Sequence, residues 1–214
     1  MAYDLERAAT ALFGGRGGNS PSDALEDTWE WDGQSWTQRD FQMHALASMD
    51  THSDGAEAAI GYDTTRGVAV LVVSLYDSLE TYELEDEGWH LIDTNADITE
   101  WGSLRLAQDT ADGTMWLFGT LRNLYWDWIE AHEQNLPITH VWRWDGATWK
   151  SASPGPQDSA PMRRLDPAVV YSPGRNATLL IGGEGAVCEE DAMSCTPVNR
   201  HDTWEWTPAG WYET

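Results

Sequence analysis

Lysine is almost missing from this chain. Of 214 residues only Lys150 is a lysine, and the basic residues number 12 in all against 36 Asp and Glu, for a formal net charge of -24. Such a balance repels phosphate backbones and anionic lipid, which excludes nucleic acid and membrane surfaces as general partners. The acidity has two readings: a solvated surface suited to a salty habitat, or a face that attracts a cationic partner or a metal. Salt screens exposed charges beyond about 8 Å at physiological strength, so only local clusters would steer a ligand.

Other absences narrow the field further. No apolar run is long enough to cross a membrane, which excludes helical membrane insertion. No basic segment followed by an apolar core opens the chain, so no signal peptide is visible in this span. Cysteine occurs twice, at Cys188 and Cys195. Two cysteines alone cannot complete a zinc site. Their spacing allows a small disulfide-closed loop, implying an oxidising compartment, and equally allows two free thiols. Gly-x-Ser-x-Gly, a Walker loop and His-Glu-x-x-His are all lacking. The six histidines, His44, His52, His90, His132, His140 and His201, are scattered. Asp50-x-His52-x-Asp54-Gly55 fails as a calcium loop at its third and twelfth positions. No cofactor is expected.

Tryptophan, in contrast, is abundant, with 14 copies. Four times an aromatic residue is followed seven positions later by a tryptophan: Trp29/Trp36, Tyr82/Trp89, Trp142/Trp149 and Trp204/Trp211. In three of these a second tryptophan lies two residues after the first, at Trp31, Trp144 and Trp206. A pattern recurring every 50 to 60 residues marks a repeat architecture. Upstream of each pair is an apolar run, Thr10–Phe13, Val68–Val73, Thr114–Phe118 and Ala177–Ile181, of the composition of a buried strand. Before each run lies a turn rich in Asp, Ser, Pro or Gly, and before that another short apolar stretch. Thr28–Trp31 and Val141–Trp144 alternate apolar and polar side chains, then turn at Asp32-Gly33 and Asp145-Gly146. Each repeat therefore predicts four antiparallel strands, and the expected boundaries are 1–40, 56–94, 102–152 and 163–214 of a single array. Four-stranded sheets that bury one another by radial stacking form an all-β propeller.

A glycine pair closing the second strand (Gly14-Gly15, Gly182-Gly183), an aromatic on the third and a tryptophan seven further on resemble the kelch motif. The resemblance covers essentially the whole chain. It departs in the second and third repeats, where Val73-Ser74 and Gly119-Thr120 replace the glycine pair. It implies a kelch-type β-propeller used as a binding scaffold, with the eight repeat aromatics wedged between blades. Kelch rings generally have more than four blades. The chain is thus read as part of a larger ring or as a protomer whose open edges meet another copy, with a compact four-bladed ring as the remaining option.

Binding residues are sought among aromatics that the repeat does not require. From the hairpin position to the third-strand aromatic there are 20 residues in the second repeat but 34 in the third and 33 in the fourth. In an up-and-down blade the loop after strand two and the loop leading to the next blade open on one side. Tyr125, Trp126, Trp128 and Trp101 would form an aromatic platform there, with Arg16, Arg122 and His132 as polar neighbours. The alternative is a short helix that buries these rings. The expected face bears residues 16–26, 121–138 and 184–200, and its expected ligand is a protein or a glycan. Two other readings stand beside a noncatalytic module: a metal-dependent enzyme of the galactose-oxidase type, and an assembly subunit joining neighbours. A secreted or extracytoplasmic bacterial setting is favoured.

Overall fold

The computed structural model describes residues 1–17, 24–40, 57–75, 78–98, 101–121, 139–152, 160–162, 164–188 and 195–214. It is all-β and forms two compact units, Met1–Glu100 and Trp101–Thr214. Among the described residues no helix is long and apolar enough to cross a membrane.

The first unit holds two four-stranded antiparallel sheets. Sheet one contains β1 (Ala2–Asp4), β2 (Ala9–Arg16), β3 (Ala24–Trp31) and β4 (Trp36–Arg39); sheet two contains β5 (Glu57–Asp63), β6 (Val68–Ser74), β7 (Leu79–Glu85) and β8 (Gly88–Asn95). In both, spatial order follows chain order. The second unit builds sheet three from β9 (Trp101–Gln108), β10 (Met115–Leu121), β11 (His140–Trp144) and β12 (Trp149–Ser151). Sheet four is β13 (Ala168–Ser172), β14 (Ala177–Ile181), β17 (Thr203–Thr207) and β18 (Gly210–Glu213). A separate two-stranded ribbon, β15 (Glu184–Cys188) with β16 (Cys195–Asn199), is inserted between β14 and β17.

Tight turns close one end of each sheet, and aspartates shape them. Asp4 Oδ1 accepts the Glu6 and Arg7 amides, both at 2.9 Å. Asp63 Oδ1 does the same for Thr65 and Arg66 at 2.9 and 3.1 Å, and Asp109 Oδ1 takes the Ala111 amide at 2.8 Å. Between third and fourth strands, Asp32 receives Gln34 and Ser35, while Asp145 receives Ala147 and Thr148. These are Asx turns, in which the side chain supplies the acceptor that the bent backbone lacks. The accepted amides hold the Asp32 and Asp145 carboxyls below their ordinary pKa. Gly33 and Gly146 follow with φ of 96° and 95°, a region closed to most side chains.

Each sheet has two different faces, set by register. Paired residues point to the same side, so Leu12, Trp29 and Gln38 share a face of sheet one with Thr10, Trp31 and Trp36. This is its aromatic face. In unit one the aromatic face of sheet two (Leu71, Tyr82, Leu84 and Trp89) packs against Ala11 and Phe13 on the opposite face of sheet one. Trp89 Nε1 also donates to Thr28 Oγ1 at 2.9 Å, and Phe13 meets the Trp89 ring edge-on at 6.2 Å. Unit two repeats the arrangement. Leu180, Trp206 and Trp211 on the aromatic face of sheet four pack against Trp116, Phe118 and Val141 on the opposite face of sheet three. The repeat aromatics differ in burial. Tyr82, Trp89, Trp142, Trp149 and Trp211 are buried, Trp29 and Trp204 are half-buried, and Trp36 is 44% exposed.

Ion pairs join the sheets within each unit. Arg7 bonds Asp4 at 2.7 Å and reaches across to the Leu84 carbonyl and Asp86. Arg105 bonds the Pro167 carbonyl at 3.1 Å and Asp166 at 2.8 Å. Arg66 with Glu83 and Arg175 with Glu205 occupy matching places in sheets two and four.

Candidate functional site

The end of each sheet opposite the Asx turns is where the chain varies. The connection from second to third strand is four residues in sheet two (75–78), but it spans 122–139 in sheet three and carries the ribbon β15–β16 in sheet four. At this end the third strands begin, and each begins the same way. A polar residue stands two positions before the repeat aromatic and engages its ring. Trp29 Nε1 donates to Asp27 Oδ2 at 2.6 Å, and Trp204 Nε1 donates to Asp202 Oδ2 at 2.8 Å. The Tyr82 hydroxyl donates to Glu80. In sheet three the place is taken by His140, which stacks on Trp142 with centroids 5.7 Å apart and planes 20° from parallel. Burial pushes the His140 pKa down, so the ring is neutral at neutral pH. Burial, reinforced by Glu80, pushes the Tyr82 phenol well above its usual range.

Unit two turns this end into a stitched platform. Arg164, 1% exposed, inserts its guanidinium between Asp202 and two carbonyls. It bonds Asp202 through both carboxylate oxygens, at 2.6 and 2.9 Å, and the carbonyls of Met162 and Gly182 at 3.1 Å each. The planar guanidinium matches a carboxylate in this two-pronged fashion, which lysine cannot do. Arg164 holds the Asp202 carboxyl down at a pKa of about 2. The Arg164 carbonyl accepts the Thr120 hydroxyl at 3.3 Å, and the Pro161 carbonyl accepts the Thr139 amide at 3.3 Å. Leu165 and Glu184 exchange both backbone hydrogen bonds, at 2.7 and 2.8 Å. Both ends of the 122–138 connection and the root of the ribbon are thus tied to the same short segment, 161–165.

The glycine pair of the fourth repeat belongs to this platform. Gly182 and Gly183 have φ of 60° and 103°. A Cβ on Gly183 would lie 2.7 Å from the Leu165 carbonyl oxygen, so glycine is what lets the two segments meet.

Arg122, Tyr125, Trp126, Trp128 and His132 lie outside the described residues. Arg16 ends β2, its backbone opposite Ala24, and Trp101 opens β9 opposite Leu121. Trp101 therefore sits at the root of the long connection. Cys188 and Cys195 are direct cross-strand partners in the ribbon. The residues that sequence reasoning missed are Arg164 and the carboxylates Asp27, Glu80 and Asp202. Their signal was an acid two places before the repeat aromatic in three of four units. Among the described residues no group of three or more His, Cys, Asp and Glu is placed to share a metal ion.

No family model and no curated protein matches this chain. Among solved structures it is similar to SapL1 lectin, determined in complex with alpha methyl fucoside, at 12% identity and a TM-score of 0.45. That likeness covers 89% of this chain and 55% of the lectin. It is also similar to an endo-1,4-beta-xylanase from Bacteroides thetaiotaomicron at 12% identity and a TM-score of 0.46, covering 95% of this chain and 67% of the enzyme. The chain thus spans little more than half the length of the first and two thirds of the second. Similarity at this level carries neither a fold nor an activity across.

Proposed function

We propose that the four sheets are blades of a kelch-type β-propeller array serving as a noncatalytic binding scaffold, and that its ligand is a glycan held at the loop-bearing end of the second unit. The observation that carries this reading is the stitched platform. A fully buried arginine, two glycines at positive φ and a bidentate carboxylate fix the roots of the two longest connections of the unit. A rigid base under variable loops is how scaffolds position recognition groups. The 122–138 connection supplies three aromatic rings within four residues, Tyr125, Trp126 and Trp128, and Trp101 stands at its root. Aromatic rings stack on the C–H faces of sugars, while Arg122 and His132 offer hydrogen bonds to hydroxyls. The acidic surface suits a neutral ligand better than an anionic one. An extracytoplasmic setting fits both this ligand and a disulfide between Cys188 and Cys195.

The test is a glycan array followed by calorimetry on the positive sugars. Trp126→Ala and Trp128→Ala should each weaken binding by at least tenfold with the melting temperature nearly unchanged. Absence of any glycan binding, or variants that bind as well as the parent, would refute the assignment. Binding to a protein with the same tryptophan dependence would redirect it to the protein-ligand alternative.

A further inference from the structure

We infer that the segment 161–167 is a coupling strap, through which the roots of the 122–138 connection in sheet three and of the β15–β16 ribbon in sheet four open and close as one unit.

The strap lies between β12 and β13 and belongs to neither. Its bonds run outward, to both sheets of the second unit. Toward sheet three, the Pro161 carbonyl accepts the Thr139 amide and the Arg164 carbonyl accepts the Thr120 hydroxyl, each at 3.3 Å. The Asp166 amide donates to Ser103 Oγ at 3.1 Å, and Arg105 donates to the Asp166 carboxylate and the Pro167 carbonyl at 2.8 and 3.1 Å. Toward sheet four, the Arg164 guanidinium holds Asp202 and the Gly182 carbonyl. Leu165 and Glu184 exchange both backbone bonds. The two directions alternate from residue to residue. Arg164 sends its side chain to sheet four and its carbonyl to sheet three, Leu165 bonds sheet four, and Asp166 bonds sheet three. Neighbouring Cα atoms are fixed at about 3.8 Å, so the strap cannot lift from one sheet and stay seated on the other.

Partial release is also costly. Ser103, Thr120, Thr139 and Arg164 are all buried. A strap lifted at one point leaves buried polar groups without partners, and a buried polar group without a partner is penalised more than a made bond is rewarded. Asp166 adds a second sign that the strap is held from outside. Its φ of 50° is left-handed, a conformation that a residue other than glycine keeps only where its surroundings over-determine it. Here Ser103 and Arg105 do so from β9. The arrangement favours two states, seated and released, over a series of independent loosenings.

The consequence is regulation of the proposed binding end, and to that extent it rests on that reading. A ligand that orders the 122–138 connection also orders the ribbon, and one that orders the ribbon favours the connection by the same factor. The coupling itself is measured without ligand, so its failure and the failure of the glycan assignment are separate results.

Native-state hydrogen exchange on the 214-residue chain reads it. The amides of Thr139 and Asp166 report the sheet-three side, those of Gly182 and Glu184 the sheet-four side, and those of Leu117 and Leu180 the centres of the two sheets. In the parent, the four strap amides should share one opening constant, larger than that of the two central amides. Ser103→Ala, which removes a bond on the sheet-three side, should raise exchange at Gly182 and Glu184 at least tenfold. Asp202→Asn should do the same for Thr139 and Asp166. Where Asp202→Asn does not hold its fold, Ser103→Ala and Arg105→Gln, read at Gly182 and Glu184, decide the matter. Separate opening constants on the two sides, or variants that speed only the side they alter, overturn the inference. So does a strap that opens only together with Leu117 and Leu180, because the unit then melts as a whole and the strap is no device of its own.

Discussion

Asp202 shows how much a single side chain can hold together here. It receives both prongs of the Arg164 guanidinium and the Trp204 indole, and through Arg164 it is linked to the carbonyls of Met162 and Gly182. Arg164 is fully buried, so removing its counter-charge leaves a cation with no compensation. Breaking such a pair from one side costs about 3–5 kcal/mol. Asp202→Asn, which keeps the shape, should lower stability in urea by that order. The pH dependence has a definite sign. The folded pKa is about 2 against an ordinary 3.8, so the folded state binds the proton less readily than the unfolded chain. The stabilisation is complete above the ordinary value and is lost as pH falls from there through about 2. The parent should weaken over that window, and Asp202→Asn should show a flatter acid limb. A variant as stable as the parent, with an identical acid limb, would mean the pair contributes nothing. In the sequence this residue was one acid among many, and only alignment with Asp27 and Glu80 across repeats singles it out.

At the level of elements, the four apolar runs, the Asp-Gly turns and the tryptophan strands were legible because each is a local signal. Period-two alternation and turn chemistry act over a few residues, and the 16 strands of the four sheets follow them. The glycine pairs were legible as punctuation, but their physical role was not. In sheet four Gly183 avoids the carbonyl of Leu165, which is close in space but distant in sequence and so leaves no local pattern. In sheet two Val73-Ser74 stands in the glycine place, and β6 simply runs on, paired in regular register with both neighbours through Ser74. The β15–β16 ribbon was read as loop, since Gly185 and Pro197 argue against strands and each arm has five residues. What the ribbon adds is register: Cys188 faces Cys195. Directly opposed antiparallel residues have Cα atoms about 4.5–5.5 Å apart, within disulfide range. Protein purified without reductant should therefore leave both thiols unlabelled by alkylation under denaturing conditions. The bridge closes a short loop, so reducing it should cost about 2–3 kcal/mol. Two labelled thiols in unreduced protein would refute the bridge.

Across the whole molecule, charge and aromatic burial oppose each other. Buried tryptophan, tyrosine and phenylalanine hold sheet against sheet within each unit, while a net charge of -24 pushes the folded chain apart. Two salt effects compete. Screening weakens the ion pairs, such as Arg7–Asp86 and Arg105–Asp166, whose carboxylates are largely exposed. Pairs of that kind contribute about 0–1 kcal/mol each at most. Screening also relieves repulsion among 36 carboxylates that share only 12 basic partners, and this second effect acts on far more pairs. Repulsion should win. Raising sodium chloride from about 0.02 to about 0.5 M should raise the melting temperature, each kcal/mol of relieved repulsion adding about 2–4 °C for a chain of this size. A melting temperature that falls with salt would show that ion pairs dominate, and the acidic surface would then have to be read as a device for capturing cations instead of an adaptation to brine.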